Sequence, residues 1–302
     1  MVIDRHMTEA DYRAHPLPSW SAAKDLLHMS PAEWRHHQGK PRAESAAMAW
    51  GTLLHALVLE PDTIDARYVV VGEVARTEDG KRWTCGGSND YRTRAEAEAA
   101  LLADVGDRQA LTAECLDDAR ARAEQAAALL GRSARREVPM GGTIEGCACK
   151  GKADVITSWL GIRGVLRHSL VIDVKTSADI TPRTVARIAR DRLWRGQLWT
   201  YGELARQCGY VDGSPSLAVL VVQAASVSLA GGILSLTGWQ PRAHARIVPL
   251  TAAAVEAGRA EARAVWSKLR ECQLADVWPD YDGDSIDVSR WETEAEVTPE
   301  EW

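Results

Sequence analysis

Apolar residues recur every three to four positions through the first part of the chain, which is the spacing of amphipathic helices. The pattern predicts a short helix at residues 21–28, capped by Ser19 or Ser21, and a second helix that begins at Pro31 with Ser30 as its cap. The other elements predicted in this part are helices at residues 43–59, 96–102 and 113–130, a loop at 77–89 and a strand at 68–71.

After Glu137 the pattern changes to an alternation of apolar and polar residues, which is typical of strands. Residues 143–150, 153–157 and 170–174 predict a three-strand antiparallel meander, and the continuously apolar residues 217–223 predict a strand buried on both faces. The remaining predicted elements are a helix at 184–206 broken near Arg195 and Gly196, a final hairpin of residues 233–236 and 245–249, and a closing helix at 252–271. The sequence therefore predicts an α/β fold in which a central mixed β-sheet is flanked by helices, with N-terminal helical additions.

The length of the chain fits one domain, because 302 residues with 46% hydrophobic content can bury a sizeable core. We predict a single domain at residues 1–275, with a helical N-terminal part at about 18–130 and a core at about 131–275. No apolar stretch approaches ~18 residues, so no membrane span is expected. The first residues lack the basic-then-apolar order of a secretory signal, so we expect a cytoplasmic protein.

Charge is distributed unevenly around the formal net value of −6. Residues 276–302 are almost purely acidic, and such a run repels itself, so we predict a mobile tail there. The remainder is close to neutral and contains an arginine cluster opposed only by Asp191. Its members are Arg183, Arg187, Arg190, Arg192 and Arg195. We predict that this cluster and Lys152 bind nucleic acid, with a solvated helix face as the alternative.

The cysteines show no CxxC pair. Their spacing favours reduced thiols over a zinc ribbon, and no iron–sulfur cluster is expected. Cys147 and Cys149 are two positions apart in a strand-like run, where they share one face as small apolar side chains.

The chemistry of the chain is indicated by two carboxylates in strand-like runs. Asp154 lies near the end of one run, and Asp173 follows nineteen positions later, two residues before Lys175. Side chains two apart in a strand point to the same face, so Asp173 and Lys175 project together. Two carboxylates can hold a hard divalent cation, and an adjacent ammonium group can orient a water molecule on it. Two carboxylates beside a lysine are therefore suited to the hydrolysis of phosphodiesters.

Several motifs, taken in order, resemble the PD-(D/E)XK nuclease superfamily, and more narrowly the RecE-type exodeoxyribonuclease VIII group of phages and prophages. The resemblance runs from about Pro18 to about Gly209. The motifs are Ser-x-x-x-x-Leu-Leu-x-x-Ser-Pro at 21–31, the Gly-Thr-Leu-Leu-His segment at 51–61, Glu137, Lys-Gly-Lys-Ala-Asp at 150–154, Asp-Val-Lys-Thr-Ser at 173–177, and Gln197-x-x-x-Tyr201. A single Asp-x-Lys occurs by chance in many chains, so the order of the motifs carries the resemblance.

The resemblance implies a metal site built from residues in four of these motifs. Asp154 and Asp173 are its ligands, His55 reaches the metal, Glu137 serves the same site, and Val174 offers its backbone carbonyl. Each has a simpler alternative: a packed histidine on an apolar helix, a surface glutamate beside arginines, or an aspartate that caps a turn. We expect Mg²⁺, in one or two ions, and an imidazole ligand makes Mn²⁺ possible as well.

The remaining motif residues are implied to act on the substrate. Lys175 holds the attacking water, with a structural ion pair to Asp173 or Asp179 as the alternative. Gln197 and Tyr201 lie one turn apart on a helix face, and the resemblance implies that they contact the scissile-strand phosphate or support the metal ligands. The alternative is a core tyrosine and a glutamine bonded to nearby backbone.

The resemblance also implies an activity and partners. These are 5′-to-3′ digestion of linear double-stranded DNA, a RecT-like single-strand annealing protein as partner, a homo-oligomeric ring, and a phage or prophage origin. Two other functions compete with this one. The chain could be another nuclease on the same fold, such as a Cas4-like or RecB-like enzyme or an endonuclease, or it could be a non-enzymatic recombination protein that binds DNA ends.

Overall fold

A computed structural model describes residues 3, 7–40, 43–71, 105–131, 133–160, 167–230, 232–238 and 240–281. The predicted loop at 77–89 and the predicted helix at 96–102 lie outside the described residues, as do residues 282–302 of the acidic tail. Among the described helices, none is both long and apolar enough to cross a membrane.

The N-terminal part forms short helices whose first turns are capped by side chains. Ser30 accepts a hydrogen bond from the Glu33 N–H, and Ser45 accepts one from the Met48 N–H. These helices are α1 (Glu9–Ala14), α2 (Trp20–Ala23) followed by the 3₁₀ turn Lys24–Leu27, α3 (Pro31–His37), α4 (Ala46–Leu59), and α5 (Ile64–Arg67) after the 3₁₀ turn Pro61–Thr63. The later helices are α6 (Ala113–Leu130), α7 (Pro182–Asp191), α8 (Trp194–Gln207) and α9 (Ala252–Ala275).

The described strands form two sheets. They are β1 (Tyr68–Val71), β2 (Gln109–Thr112), β3 (Arg135–Ile144), β4 (Cys147–Leu160), β5 (Arg167–Ser177), β6 (Ser216–Gln223), β7 (Val227–Ala230), β8 (Ile233–Leu236) and β9 (Ala245–Pro249). The main sheet has the order β3-β4-β5-β6-β9, in which only β5 and β6 are parallel. A second sheet has the order β1-β2-β8-β7. The predicted mixed sheet flanked by helices is confirmed, and so are the predicted strand at 68–71 and helix at 113–130.

The predicted meander exists, but its strands begin and end at other residues. The strand predicted at 143–150 is interrupted at Glu145 and Gly146, whose φ angles are 50° and 73°. Left-handed φ at two successive residues makes the tight turn that joins twisted antiparallel strands. β4 then runs without a break from Cys147 to Leu160.

The predicted final hairpin is wrong. β8 pairs with β7 and β2 in the second sheet, whereas β9 pairs with β6 in the main sheet. Periodicity identifies a strand, but it does not identify which strand lies beside it.

The predicted break in the helix at 184–206 is real but falls earlier than Arg195 and Gly196. Leu193 has a φ of 57° and separates α7 from α8. Its side chain is buried in the core, so packing holds this unusual backbone in place. Gly196 instead lies within α8, where an added Cβ would come 2.4 Å from the Trp20 ring.

Helices cover both faces of the main sheet. Apolar side chains of α8 and α9 pack on one face, and those of α4 and α6 pack on the other. On β5 this alternation is strict. Val171 packs on the face covered by α8, whereas Ile172 and Val174 pack on the face covered by α4 and α6. The main sheet is therefore a layer between two helical layers, and helices of either layer can contact its polar side chains.

The predicted acidic tail begins with residues that pack against α3. The Trp278 ring stacks on Trp34 with centroids 5.4 Å apart, and the Arg35 guanidinium lies 4.9 Å from the Trp278 ring. Ser30 donates a hydrogen bond to Asp280 at 2.9 Å. Residues 276–281 therefore contact the domain, beyond the boundary that we predicted at 275.

Gly258→Ala should destabilise the protein, although alanine favours a helix over glycine by about 1 kcal/mol. An added Cβ at this position in α9 would lie 2.5 Å from the Arg195 carbonyl oxygen of α8, and such overpacking costs about 1–3 kcal/mol. Chemical unfolding would measure the change. Ala260→Gly, at an exposed position of the same helix, is the control and should follow helix propensity alone. A more stable Gly258→Ala variant would contradict the close helix contact.

Candidate metal centre

Three carboxylates lie side by side across three neighbouring strands. The pairing of β3 with β4 places Glu137 opposite Asp154. The register of β4 and β5 ends with the pair Val155↔Ile172. Because the two strands are antiparallel, the residues that follow this pair, Asp154 and Asp173, lie next to each other. The order of strands in the sheet thus brings together residues that are far apart in the chain.

The strands depart from regular structure where these carboxylates lie. The Asp154 Oδ2 atom accepts a hydrogen bond of 2.6 Å from the Val174 N–H, so a side chain takes the place of a strand partner. Glu137 has a φ of 51°, in the left-handed region, which costs a non-glycine residue about 1 kcal/mol or more. Local strain of this kind is concentrated at functional sites.

His55 reaches the carboxylates from α4. Its Nε2 atom lies 3.2 Å from Asp154 Oδ1, and its Nδ1 atom lies 3.7 Å from Glu137 Oε1. One ligand atom from each of these three residues falls within 4.8 Å of the others.

The donor set fits a divalent cation. Two carboxylates and one imidazole are ligands that such ions accept. The Glu137 Oε1 atom is buried and has no hydrogen-bond partner among the described residues, although buried carboxylate oxygens normally have one. A cation held by His55, Glu137 and Asp154 would satisfy this oxygen.

Asp173 is held from the opposite face of the sheet. Its Oδ2 atom lies 2.6 Å from Lys175 Nζ, and its Oδ1 atom accepts a 3.2 Å hydrogen bond from Gln197 Nε2. The same Gln197 nitrogen lies 3.0 Å from the Tyr201 hydroxyl oxygen, to which it donates. Gln197 and Tyr201 of α8 are thus brought to Asp173, which lies beside the group formed by His55, Glu137 and Asp154.

The neighbouring aspartates have opposite shifts in pKa. Burial raises the pKa of Asp173 to about 6, and the Asp154 charge adds to this while Lys175 opposes it. Burial also acts to raise the pKa of Asp154, but His55, Lys175 and the Val174 N–H outweigh it and hold this pKa below the ordinary value. One carboxylate therefore stays ionised, and the other gives up its proton only near neutral pH.

Histidine and lysine in the centre favour their charged forms. Burial acts to lower the pKa of His55, but the charges of Asp154 and Glu137 outweigh burial and raise it. Burial likewise acts to lower the pKa of Lys175, and Asp173 raises it above the ordinary value. The cations thus balance the buried carboxylates when no metal is bound.

An open cleft of about 440 Å³ lies over this centre, lined by His55, Glu137, Val174 and Lys175 among others. Of the charged residues that line it, three lie outside every motif identified in the sequence: Glu9, Arg13 and Arg67. Glu9 and Arg13 lie before the segment in which the family resemblance begins, and Arg67 lies in no motif. Their side chains carried no signal that distinguished them from ordinary surface charges.

The predicted nucleic-acid-binding residues differ in exposure and in their ion-pair partners. Arg183, Arg187 and Arg192 are exposed, and Arg190 is partly buried. Arg195 is different, because its guanidinium lies 2.5 Å from Glu261 of α9 and only 16% of its side chain is exposed. Lys152 contacts the carboxylates of Glu9 and Glu137.

Comparisons with known proteins place the chain in no family. No protein-family model matches the chain, and no curated protein matches it. One solved structure, named "Putative exonuclease" and from Eubacterium rectale, aligns over 98% of this chain and 95% of its own, with a TM-score of 0.48 and 16% identity. Similarity at this level assigns no activity to the chain.

Divalent-metal affinity should increase with pH through two groups: Asp173 near pH 6, and His55 at higher pH, because the pKa of His55 is raised above its ordinary value and only the neutral imidazole binds a cation. A carboxylate must lose its proton to bind a cation, and in the metal-free protein Asp173 does so with a pKa of about 6. Below that pH, the protonation of Asp173 alone should lower the affinity for Mn²⁺ by about tenfold per pH unit if Asp173 is a ligand, in addition to the loss caused by the protonation of His55. Calorimetric titration between pH 5 and 8 would measure this. The Asp173→Asn variant should lose the step near pH 6, and an unchanged step there would exclude Asp173 as its source.

Proposed function

We propose that the protein is a metal-dependent DNA hydrolase of the PD-(D/E)XK type. The observation that carries the proposal is the row of Glu137, Asp154 and Asp173 across three strands, with His55 on one side and Lys175 on the other. Acidic ligands beside a lysine in an open cleft suit the hydrolysis of phosphodiesters. The motif order described above supports DNA as the substrate.

The metal residues have separate tasks in this proposal. His55, Glu137 and Asp154 would hold a divalent cation, with Asp173 as a further ligand, and Mg²⁺ or Mn²⁺ suits this donor set. A bound cation would supply Lewis-acid polarisation of the phosphoryl oxygen. The Val174 N–H fixes the orientation of the Asp154 carboxylate, so that its Oδ1 atom faces His55.

Lys175 acts as an ammonium donor. Its pKa is raised by Asp173, so it stays protonated and is a poor base at neutral pH. A protonated lysine at the cleft can hold the attacking water and stabilise negative charge that develops on the phosphate. Gln197 holds Asp173 in place through its 3.2 Å hydrogen bond, and Tyr201 in turn contacts Gln197.

The finer parts of the proposal rest on the family resemblance. They are exonuclease action on linear double-stranded DNA in the 5′-to-3′ direction, a homo-oligomeric ring, cooperation with a RecT-like annealing protein, and a cytoplasmic role in phage-type recombination.

The variants Asp173→Asn and Lys175→Met should each lose Mg²⁺-dependent DNA hydrolysis by roughly 10³-fold or more, because each removes several kcal/mol of transition-state stabilisation. The assay uses linear duplex, nicked circle and single strand, labelled at either end, with Mg²⁺ or with a chelator. Asp117→Asn, at an exposed position of α6, is the control and should keep full activity.

The same assay separates the competing functions. Release of labelled nucleotides from one end supports an exonuclease and gives its polarity, whereas cleavage of the nicked circle without ends indicates an endonuclease. Binding of DNA ends without hydrolysis in Mg²⁺ or Mn²⁺ would contradict an enzyme and favour the end-binding protein. Full activity of either site variant would contradict the assigned centre.

Two arginines of the predicted cluster should behave differently. Arg187→Ala removes an exposed charge, so DNA binding should weaken and the slope of log K against log[salt] should fall by about 1, with little change in stability. Arg195→Ala should instead lower the free energy of unfolding by roughly 3 kcal/mol, because it leaves Glu261 largely buried without its partner. Filter binding at several salt concentrations and chemical unfolding measure the two effects, and equal behaviour of the two variants would contradict the assignment.

A further inference from the structure

The short helix α1 is fixed to the catalytic strand β4 by polar contacts, since none of its residues is buried. Lys150 of β4 is 6% exposed, and its Nζ atom donates to the backbone carbonyls of Tyr12 at 2.6 Å and His15 at 2.7 Å. The same nitrogen lies 4.7 Å from the centroid of the Tyr12 ring. A buried lysine that reaches the end of a helix holds α1 in a defined place.

The next lysine on the same side of β4 connects α1 with the metal centre. Lys152 Nζ lies 2.6 Å from a carboxylate oxygen of Glu9, and it also contacts Glu137 Oε2. Glu137 therefore meets an ammonium with one oxygen and presents the other oxygen, Oε1, towards His55 at 3.7 Å. That second oxygen is the buried atom without a hydrogen-bond partner among the described residues.

We propose that Glu9 is a positioning residue of the metal centre, acting through Lys152 on Glu137. Glu9 shares the ammonium of Lys152 and keeps it on Oε2, so that Oε1 of Glu137 stays available to a cation. The inference rests on the proposed function in that it assumes a divalent ion between His55, Glu137 and Asp154.

The charges explain why a second carboxylate is needed. Without Glu9, Glu137 would be the only carboxylate of the described residues in contact with Lys152, and the lysine would compete with the cation for it. Glu9 restores one negative charge to the cleft, and a negative charge near a divalent ion favours its binding. The competition from Lys152 and the lost negative charge would both lower the affinity for the cation, so loss of the Glu9 charge should weaken metal binding.

Titration of the 302-residue chain with Mn²⁺, followed by calorimetry at fixed pH and ionic strength, tests the proposal. Glu9→Gln should raise the Kd for Mn²⁺ by about fivefold, the size expected for one charge acting on a divalent ion across solvent. Lys150→Met should weaken Mn²⁺ binding as well, because it releases α1. Glu256→Gln is the matched control, since Glu256 pairs with Arg259 of its own helix as Glu9 pairs with Arg13, is likewise exposed, and lies away from the cleft. Its Kd should equal that of the wild type.

A double-mutant cycle shows whether Glu9 acts through Lys152. In a Lys152→Met background, the additional change Glu9→Gln should have clearly less effect on the Kd than it has in the wild type. An equal effect in both backgrounds, or no effect in either, would overturn the proposal. Thermal unfolding of each variant confirms that the fold is kept.

Nuclease kinetics provide an independent readout. Glu9→Gln should lower kcat at limiting Mn²⁺ and regain it at high Mn²⁺, with no rise in the KM for DNA. If Glu9 were only a surface charge that repels DNA, the variant would bind DNA more tightly and its metal affinity would not change, which would overturn the proposal. A wild-type protein that binds Mn²⁺ but does not cleave DNA would contradict the proposed function and leave this inference standing. A wild type that binds no Mn²⁺ would overturn both.

Discussion

The hydrogen bond from the Val174 N–H to the Asp154 carboxylate is the interaction on which the centre depends. A side chain takes a backbone donor of the neighbouring strand at 2.6 Å, so β4 and β5 are no longer joined by ladder hydrogen bonds at this point. Burying a carboxylate is costly unless it is hydrogen-bonded or paired, and here the same group has both kinds of partner. The opening between the strands places Asp154 within reach of His55 on α4.

Charge balance explains how so many acidic groups share one place. Asp154 and Asp173 are buried beside each other, and mutual repulsion alone would force one of them to keep its proton. Lys175 contacts Asp173, and His55 contacts Asp154, so each carboxylate has its own cation when no metal is bound. Removing one partner of such a pair usually costs more stability than the intact pair contributes, about 3–5 kcal/mol. The buried pairs of this centre are therefore weak evidence that it adds stability to the fold.

The sequence predicted what depends on local pattern and missed what depends on partners in space. The helix at 113–130 and the strand at 68–71 were predicted with their observed bounds, because cap residues and apolar periodicity mark them directly. The final hairpin was wrong, because strand periodicity does not reveal the second sheet that β8 joins. In the site, motif spacing indicated Asp173 and Lys175, but no pattern could show that Arg195 pairs with Glu261.

Under our proposal, Glu137 and Glu9 illustrate how a metal centre extends beyond its ligands. Glu137 has a left-handed backbone that a glutamate adopts only when its surroundings fix it, and Lys152 supplies such a contact. Lys152 is in turn shared with Glu9, which lies before the segment where the family resemblance begins. A ligand that faces a cation with one oxygen needs a fixed partner on the other, because a carboxylate that rotates freely loses part of its binding energy to ordering. Residues outside every recognised motif can therefore set how well the motif residues work.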